Sequence, residues 1–231
     1  SSFTGLVGSE TLTIADVIGT FAGKDVVLAP AFDADGDPDG EAPAEQTVTI
    51  TYALGDGTGG GLASNYIIET EQQTAVINQA ELTITANNIK KVITELDPTL
   101  TVRADGFVAG ETTADLTSFS VTREGANTEA GEVKGTYDIL VTAESTNYNI
   151  TFTDDGGTDL TPTEGTATFA DEFKILGAGE LLVTLGDVTT EYGTSNTTVN
   201  ANARYYSAVS QSIVTLDVAA GATAGSFVAS E

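Results

Sequence analysis

Residues 82–102 read LTITANNIKKVITELDPTLTV, and residues 181–201 read LLVTLGDVTTEYGTSNTTVNA. Set one above the other without a gap, at an offset of 99 residues, they carry apolar residues and threonines in the same phase. Self-similarity of this length marks one structural module used twice. Two shorter echoes extend it. Leu6-Val7-Gly8-Ser9-Glu10-Thr11 recurs as Phe107-Val108-Ala109-Gly110-Glu111-Thr112, and Ser64-Asn65-Tyr66-Ile67-Ile68 recurs as Thr146-Asn147-Tyr148-Asn149-Ile150. Residues 1–81 hold the later echoes but no opening strand, and the copy that opens at Leu181 reaches Glu231 without an Asn-Tyr segment. Each flank therefore reads as half a module, and the two halves together make one module of ordinary domain size. The expectation is one period of a tandem array, or a subunit that completes its fold with a neighbour. Both predict a fibre.

Working outward, the rest of the chain is strand-like. Thr47–Tyr52, Tyr66–Thr70, Glu81–Thr85, Ser118–Thr122, Tyr137–Thr142 and Leu181–Leu185 are short Thr, Val and Ile runs between Gly, Asp and Asn clusters. Their period is two. Val48, Ile50 and Tyr52 face one side while Thr47, Thr49 and Thr51 face the other, as in a half-buried antiparallel strand. Helical spacing is not sustained over three turns anywhere, and β-branched residues with 25 glycines disfavour long helices. The predicted class is all-β: tandem small modules, sandwich or grasp-like, open to completion by strands from a neighbouring module or subunit.

Composition removes several functions. With 40% hydrophobic residues in 231, the chain has material for packed cores. Its 34 acidic against 8 basic residues give a net charge of −26, which disfavours nucleic acid and anionic membranes and favours cations as partners. A saline or calcium-containing extracellular setting relieves that self-repulsion. There is no cysteine, so neither disulfides nor thiol chemistry, and no histidine, which excludes a Ser-His-Asp triad and an imidazole zinc site. No apolar run has membrane-spanning length. An enzyme is not expected.

The run Gln79–Asn87, Asp97-Pro98-Thr99-Leu100-Thr101, Gly110-Glu111-Thr112, Ser120–Glu124, and Gly135–Ile139 followed by Asn147–Phe152 resemble the MBG modules of large bacterial surface proteins. Residues 1–80 resemble the later part of the related YDG module. The resemblance implies glycine-rich β repeats, used in tandem as stalk or spacer units of filamentous-haemagglutinin-like adhesins. It divides the chain into 1–80, the C-terminal part of a YDG-like module, 81–180, a complete MBG-like module, and 181–231, the N-terminal part of a further one. One departure stands out: where such modules carry Tyr-Gly after the first strand, the central copy has Ile93-Thr94-Glu95, and only the third keeps Tyr192-Gly193.

The sharpest candidate site is Asp33, Asp35, Asp37, Asp39 and Glu41. From Asp35 the sequence reads D-x-D-x-D-G, the start of a calcium loop in which alternating carboxylates converge on one hard cation. The match is partial, because the twelfth position is Gln46 and Pro38 stiffens the middle. The competing reading is a solvated acidic hairpin tip. A second, weaker candidate is Asp154, Asp155 and Asp159, where Asp-Gly is also ordinary turn chemistry. Gly55–Gly61 lacks a lysine and a following helix and reads as a loop, not a phosphate cradle. Lys134 and Lys174 are candidates for an intramolecular cross-link whose partners the sequence does not identify. Tyr66 and Tyr148 read as a recurrent packed position. Tyr205 and Tyr206 point to opposite faces of a strand, so one ring is free to meet another module or a glycan. The expected function is a structural protein of an extracellular stalk, filament or biofilm fibre that associates with itself and holds calcium. The alternative is an adhesin binding module for glycan or a host protein.

Overall fold

A computed structural model describes residues 5–108, 110–162, 165–186 and 201–217 of the chain. Ala109 and the Tyr192-Gly193 pair lie outside these residues. Among the described residues there are sixteen strands, three single-turn 3-10 segments and no α-helix, so the fold is all-β. The chain forms two compact units, Ser1–Glu81 with Ser145–Asn149, and Leu82–Glu144 with Ile150–Glu231.

In the first unit, β1 (Leu12–Phe21), β4 (Glu45–Asp56) and β5 (Glu71–Val76) form an antiparallel sheet with β4 in the centre. The long β4 follows the predicted alternation. Its Val48, Ile50, Tyr52 and Leu54 share a face and are half-buried. A bulge between Ile14 and Asp16 lets β1 track β4 over ten residues. β2 (Leu28–Phe32) and β3 (Pro38–Pro43) make a separate hairpin. The strand expected at Tyr66–Thr70 is not one: these residues are unpaired and Ile67 is 97% exposed, and the strand begins only at Glu71. Residues 145–149 join this unit through Asn147, whose Oδ1 accepts from Val26 N at 2.8 Å and whose Nδ2 donates to Asp25 at 3.0 Å.

The second unit contains two four-stranded sheets. One has the order β7 (Ile89–Val92), β13 (Thr166–Leu176), β10 (Gly135–Glu144), β9 (Ser118–Arg123). The other has the order β12 (Asp159–Leu160), β11 (Tyr148–Thr153), β6 (Ala80–Ala86), β8 (Val102–Asp105). Inward-facing Leu82, Ile84 and Ala86 of β6, Ile139 and Val141 of β10, and Phe169 and Phe173 of β13 are at most 1% exposed. Phe152 of one sheet meets Phe169 of the other edge-on at 6.4 Å between centroids, so the sheets enclose a dry core as a sandwich. This is the alternation read from the sequence, buried on one face.

Two pairings are parallel. β7 runs alongside β13 from Ile89↔Phe173 to Val92↔Leu176. β6 and β11 are neighbours, and Glu81 meets Asn149 at 3.1 Å while Thr85 meets Thr153 at 3.1 Å. A constant offset means the two strands point the same way. The unit also contains a third sheet, β14 (Leu181–Leu185), β15 (Ala201–Ser207) and β16 (Ser212–Asp217), antiparallel throughout. Its Leu182 packs with Val92 and Leu176, joined by Ile93, Tyr206 and Ile213.

The repeat seen in the sequence is a repeat of structure. β6 pairs β8 as Thr83↔Asp105, Ile84↔Ala104, Thr85↔Arg103 and Ala86↔Val102. β14 pairs β15 as Leu182↔Arg204, Val183↔Ala203, Thr184↔Asn202 and Leu185↔Ala201. Each pair is the earlier one moved on by 99 residues. The strand pair reuses its register as well as its sequence pattern.

Candidate functional site

The two acidic clusters adopt the same local geometry. At the β2–β3 tip, Asp33 Oδ1 accepts from Asp35 N at 3.0 Å and from Asp37 N at 2.9 Å, and Asp33 N donates to Asp37 O. Gly36 supplies the positive φ of 88° that the turn requires. At the second cluster Asp154 Oδ1 accepts from Thr158 N at 2.8 Å, Asp154 N donates to Thr158 O, and Gly157 has φ 80°. The bond from Thr158 leads the causes that hold the Asp154 carboxyl below its ordinary value. In both, the first aspartate closes its own turn. Asp155 lies 3.7 Å from Arg103 instead of beside Asp154 on a common point. Among the described residues no group of three or more acidic side chains is placed to hold a metal ion. Asp33, Asp35, Asp37, Asp39 and Glu41 therefore do not converge as a calcium loop here, and neither do Asp154, Asp155 and Asp159. Consecutive carboxylates repel, and backbone N–H groups satisfy the leading one.

The most concentrated chemistry lies elsewhere, around two buried cations. Lys91 on β7 and Arg123 at the end of β9 are 2% and 3% exposed. Lys91 Nζ donates to Asp97 Oδ1 at 2.5 Å, to Glu95 O at 3.1 Å and to Glu132. Arg123 grips Asp97 with two nitrogens, Nε to Oδ2 at 2.6 Å and Nη2 to Oδ1 at 3.1 Å, and also reaches Glu132 and Gly131 O. The guanidinium lies over Phe173, 4.8 Å from its centroid, and 5.3 Å from that of Tyr137. Burial pushes the Asp97 carboxyl up, but hydrogen bonds from Arg123 and Lys91 outweigh it and hold the group below the usual carboxylate range. Two cations face two carboxylates, so the cluster is neutral. Its chemistry is that of a closed ionic lock fastening the β7 edge and the 130–132 turn to β9.

A second pair continues the pattern. Glu95 accepts from Val92 N at 2.7 Å and from Arg204 Nε on β15 at 2.5 Å, which ties the third sheet to the turn after β7. Glu180 accepts from Gly177 N and from both Lys134 and Lys174, and these bonds lower its pKa to about 2. The two lysines considered for cross-linking thus share one carboxylate. Among the described residues, seven of the eight basic side chains make ion pairs. In a chain this acidic, each scarce cation gathers carboxylates, and that scarcity was the sequence signal for Lys91 and Arg123. Their partners were not legible, because Asp97 and Glu132 are indistinguishable from the other acids until the fold selects them.

The tyrosines do not share one environment, and Tyr205 and Tyr206 are both half-buried. Tyr148 is buried, and Tyr66 is half-buried with its hydroxyl donating to Glu10. Tyr206 packs on the Val92–Leu176–Leu182 cluster, while Tyr205 faces the other way beside Leu181.

The comparisons reach part of the chain. Residues 82–158, one third of it, match the family model described as MBG domain (YGX type). This span opens within β6 and includes the ionic lock, so the central part of the chain is similar to an MBG-type β module. No curated protein and no solved structure matches the chain. No helix among the described residues is long and apolar enough to cross a membrane.

Proposed function

We propose that this chain is a non-enzymatic structural segment of an extracellular surface protein, a stalk or spacer assembled from MBG-type β modules in series. The observation that carries this reading is the match of residues 82–158 to the MBG family together with the register-true recurrence of its opening hairpin at β14–β15. A module that begins again 99 residues later is a unit made for serial use.

The pairing of β7 with β13 supports a load-bearing role. β7 lies near the opening of the sandwich and β13 closes it. A pull along either strand slides these parallel strands past one another, so their hydrogen bonds are loaded together and not peeled one by one. The ionic lock anchors the β7 edge from the side. The charge of −26 keeps neighbouring stalks apart and soluble.

Antibody raised against the purified chain tests this reading on intact cells that make the protein. Labelling of intact cells that external protease removes is the expected result. Labelling only after lysis refutes it.

A further inference from the structure

The two copies of the opening hairpin share a register but not an environment. In β6, Leu82, Ile84 and Ala86 are 1%, 0% and 1% exposed under the facing sheet. Their counterparts in β14, Leu181, Val183 and Leu185, are 38%, 41% and 70% exposed. β6 lies between β8 and β11, whereas β14 has β15 on one side and no paired strand on the other among the described residues. An open groove lined by Thr184, Leu185, Gly186, Ala201 and Asn202 lies at the paired ends of β14 and β15. The second hairpin therefore carries an uncovered apolar face and an unpaired edge, both of which its twin keeps closed.

The first unit is open in the complementary sense. Its sheet β1-β4-β5 repeats the arrangement β9-β10-β13, an antiparallel trio with the middle strand of the sequence in the centre. In β10, Ile139 and Val141 are fully buried, but in β4 no residue is, and Val17 on β1, opposite Tyr52, is 54% exposed. Among the described residues, what β6 and β8 supply to the central module has no equivalent in the first unit's sheet order. The Asn-Tyr segment shows the same gap: Tyr148 opens β11, which pairs with β6, while the matching Tyr66–Thr70 is unpaired and presents Ile67 to solvent.

We propose that the β14–β15 hairpin of one copy of this chain docks on the β1-β4-β5 sheet of a second copy, with Tyr66–Thr70 of that second copy added parallel to β14. The occupant follows from the molecule's own precedent, since β11 lies beside β6 in the central module and Tyr66–Thr70 is the recurrence of β11. The joint is strand addition at an edge combined with burial of an apolar face. It is heterologous, with different surfaces on the two partners, so copies add head to tail. It supplies the means by which the proposed stalk extends, and rests on that reading only for its setting. Because both partners are acidic, association strengthens with salt.

Sedimentation of the purified chain with two variants tests this. Ile67→Lys alters the accepting unit, and Val183→Lys alters the donating hairpin. Both residues are exposed, so folding is preserved and is checked by circular dichroism and heating curves. Wild-type chain is expected to form concentration-dependent oligomers in moderate salt, and each variant alone to associate at least about tenfold more weakly. Mixed in equal amounts, the two variants are expected to form a dimer and nothing larger, because each keeps the surface that the other has lost. A wild-type monomer at high concentration overturns the proposal, as do unaffected variants or a mixture that stays monomeric. Failure of surface labelling on cells would leave this solution result untouched, so the two readings fail separately.

Discussion

Asp97 is the residue on which the central module's polar interior turns, and removing it has a calculable cost. The Asp97→Ala change deletes the carboxylate that Lys91 meets at 2.5 Å and Arg123 meets at 2.6 and 3.1 Å. Two nearly inaccessible cations are left to share Glu132. Breaking a buried ion pair by removing one partner costs about 3–5 kcal/mol, because the survivor is stranded without solvent. The Asp97 side chain is itself 29% exposed, so water reaches the vacated position and the lower figure, about 3 kcal/mol, applies. For a unit of this size that lowers Tm by about 6–12 °C. Calorimetry and urea unfolding followed by tyrosine fluorescence measure it, with the second unit's transition read separately from the first's. The diagnostic step is a second change. Lys91→Met removes the stranded cation and keeps an apolar stem of similar length, so the double variant should recover most of the loss, whereas Lys91→Met alone should cost less than Asp97→Ala. A loss under about 1 kcal/mol on Asp97→Ala, or a double variant worse than the sum of the singles, refutes the lock as described.

Other expectations follow from single positions. Thr94 has φ 74°, a left-handed conformation that costs a β-branched residue about 1–2 kcal/mol, so Thr94→Gly should raise stability by about 1 kcal/mol in urea unfolding; no gain would mean that the threonine side chain compensates. Glu180 has a folded pKa of about 2 against an ordinary 4.5, so its contribution is complete above pH 4.5 and is lost as pH falls toward 2. The stability difference between wild type and Glu180→Gln should shrink over that interval, and a difference that stays constant there would contradict the assignment. Calcium should raise Tm no more than sodium chloride of equal ionic strength, because Asp33 and Asp154 are committed to their own turns; a saturable rise specific to calcium would show that the hairpin rearranges around the ion.

The strand pattern was legible because it is local. Alternating Val48, Ile50 and Tyr52, and the Leu82-Thr83-Ile84-Thr85 and Leu181-Leu182-Val183-Thr184 runs, each specify a strand through side-chain period and β-branching, with no need of distant neighbours. Tyr66–Thr70 shows the limit of that logic. Its composition is that of a strand, but a strand is also a set of hydrogen bonds to another strand, and pairing is not encoded in the segment itself. The same holds at Ile93-Thr94-Glu95. The sequence marked a departure from Tyr-Gly, and the positive φ at Thr94 gives the physical reason that glycine suits the position.

The sequence by itself determined the all-β class, the 99-residue recurrence and the exclusion of thiol and imidazole chemistry, since composition and period are properties of the chain alone. Only the tertiary structure decided which carboxylates matter. The acidic run around Asp35 reads as a site because its charges are close in sequence, and the fold adds that its leading carboxylate closes the hairpin's own turn. Lys91 and Asp97, six residues apart, meet Arg123 and Glu132 from farther along the chain because the sandwich folds β7, β9 and the 130–132 turn onto one another. Electrostatic energy depends on separation and burial, and both are set by the fold.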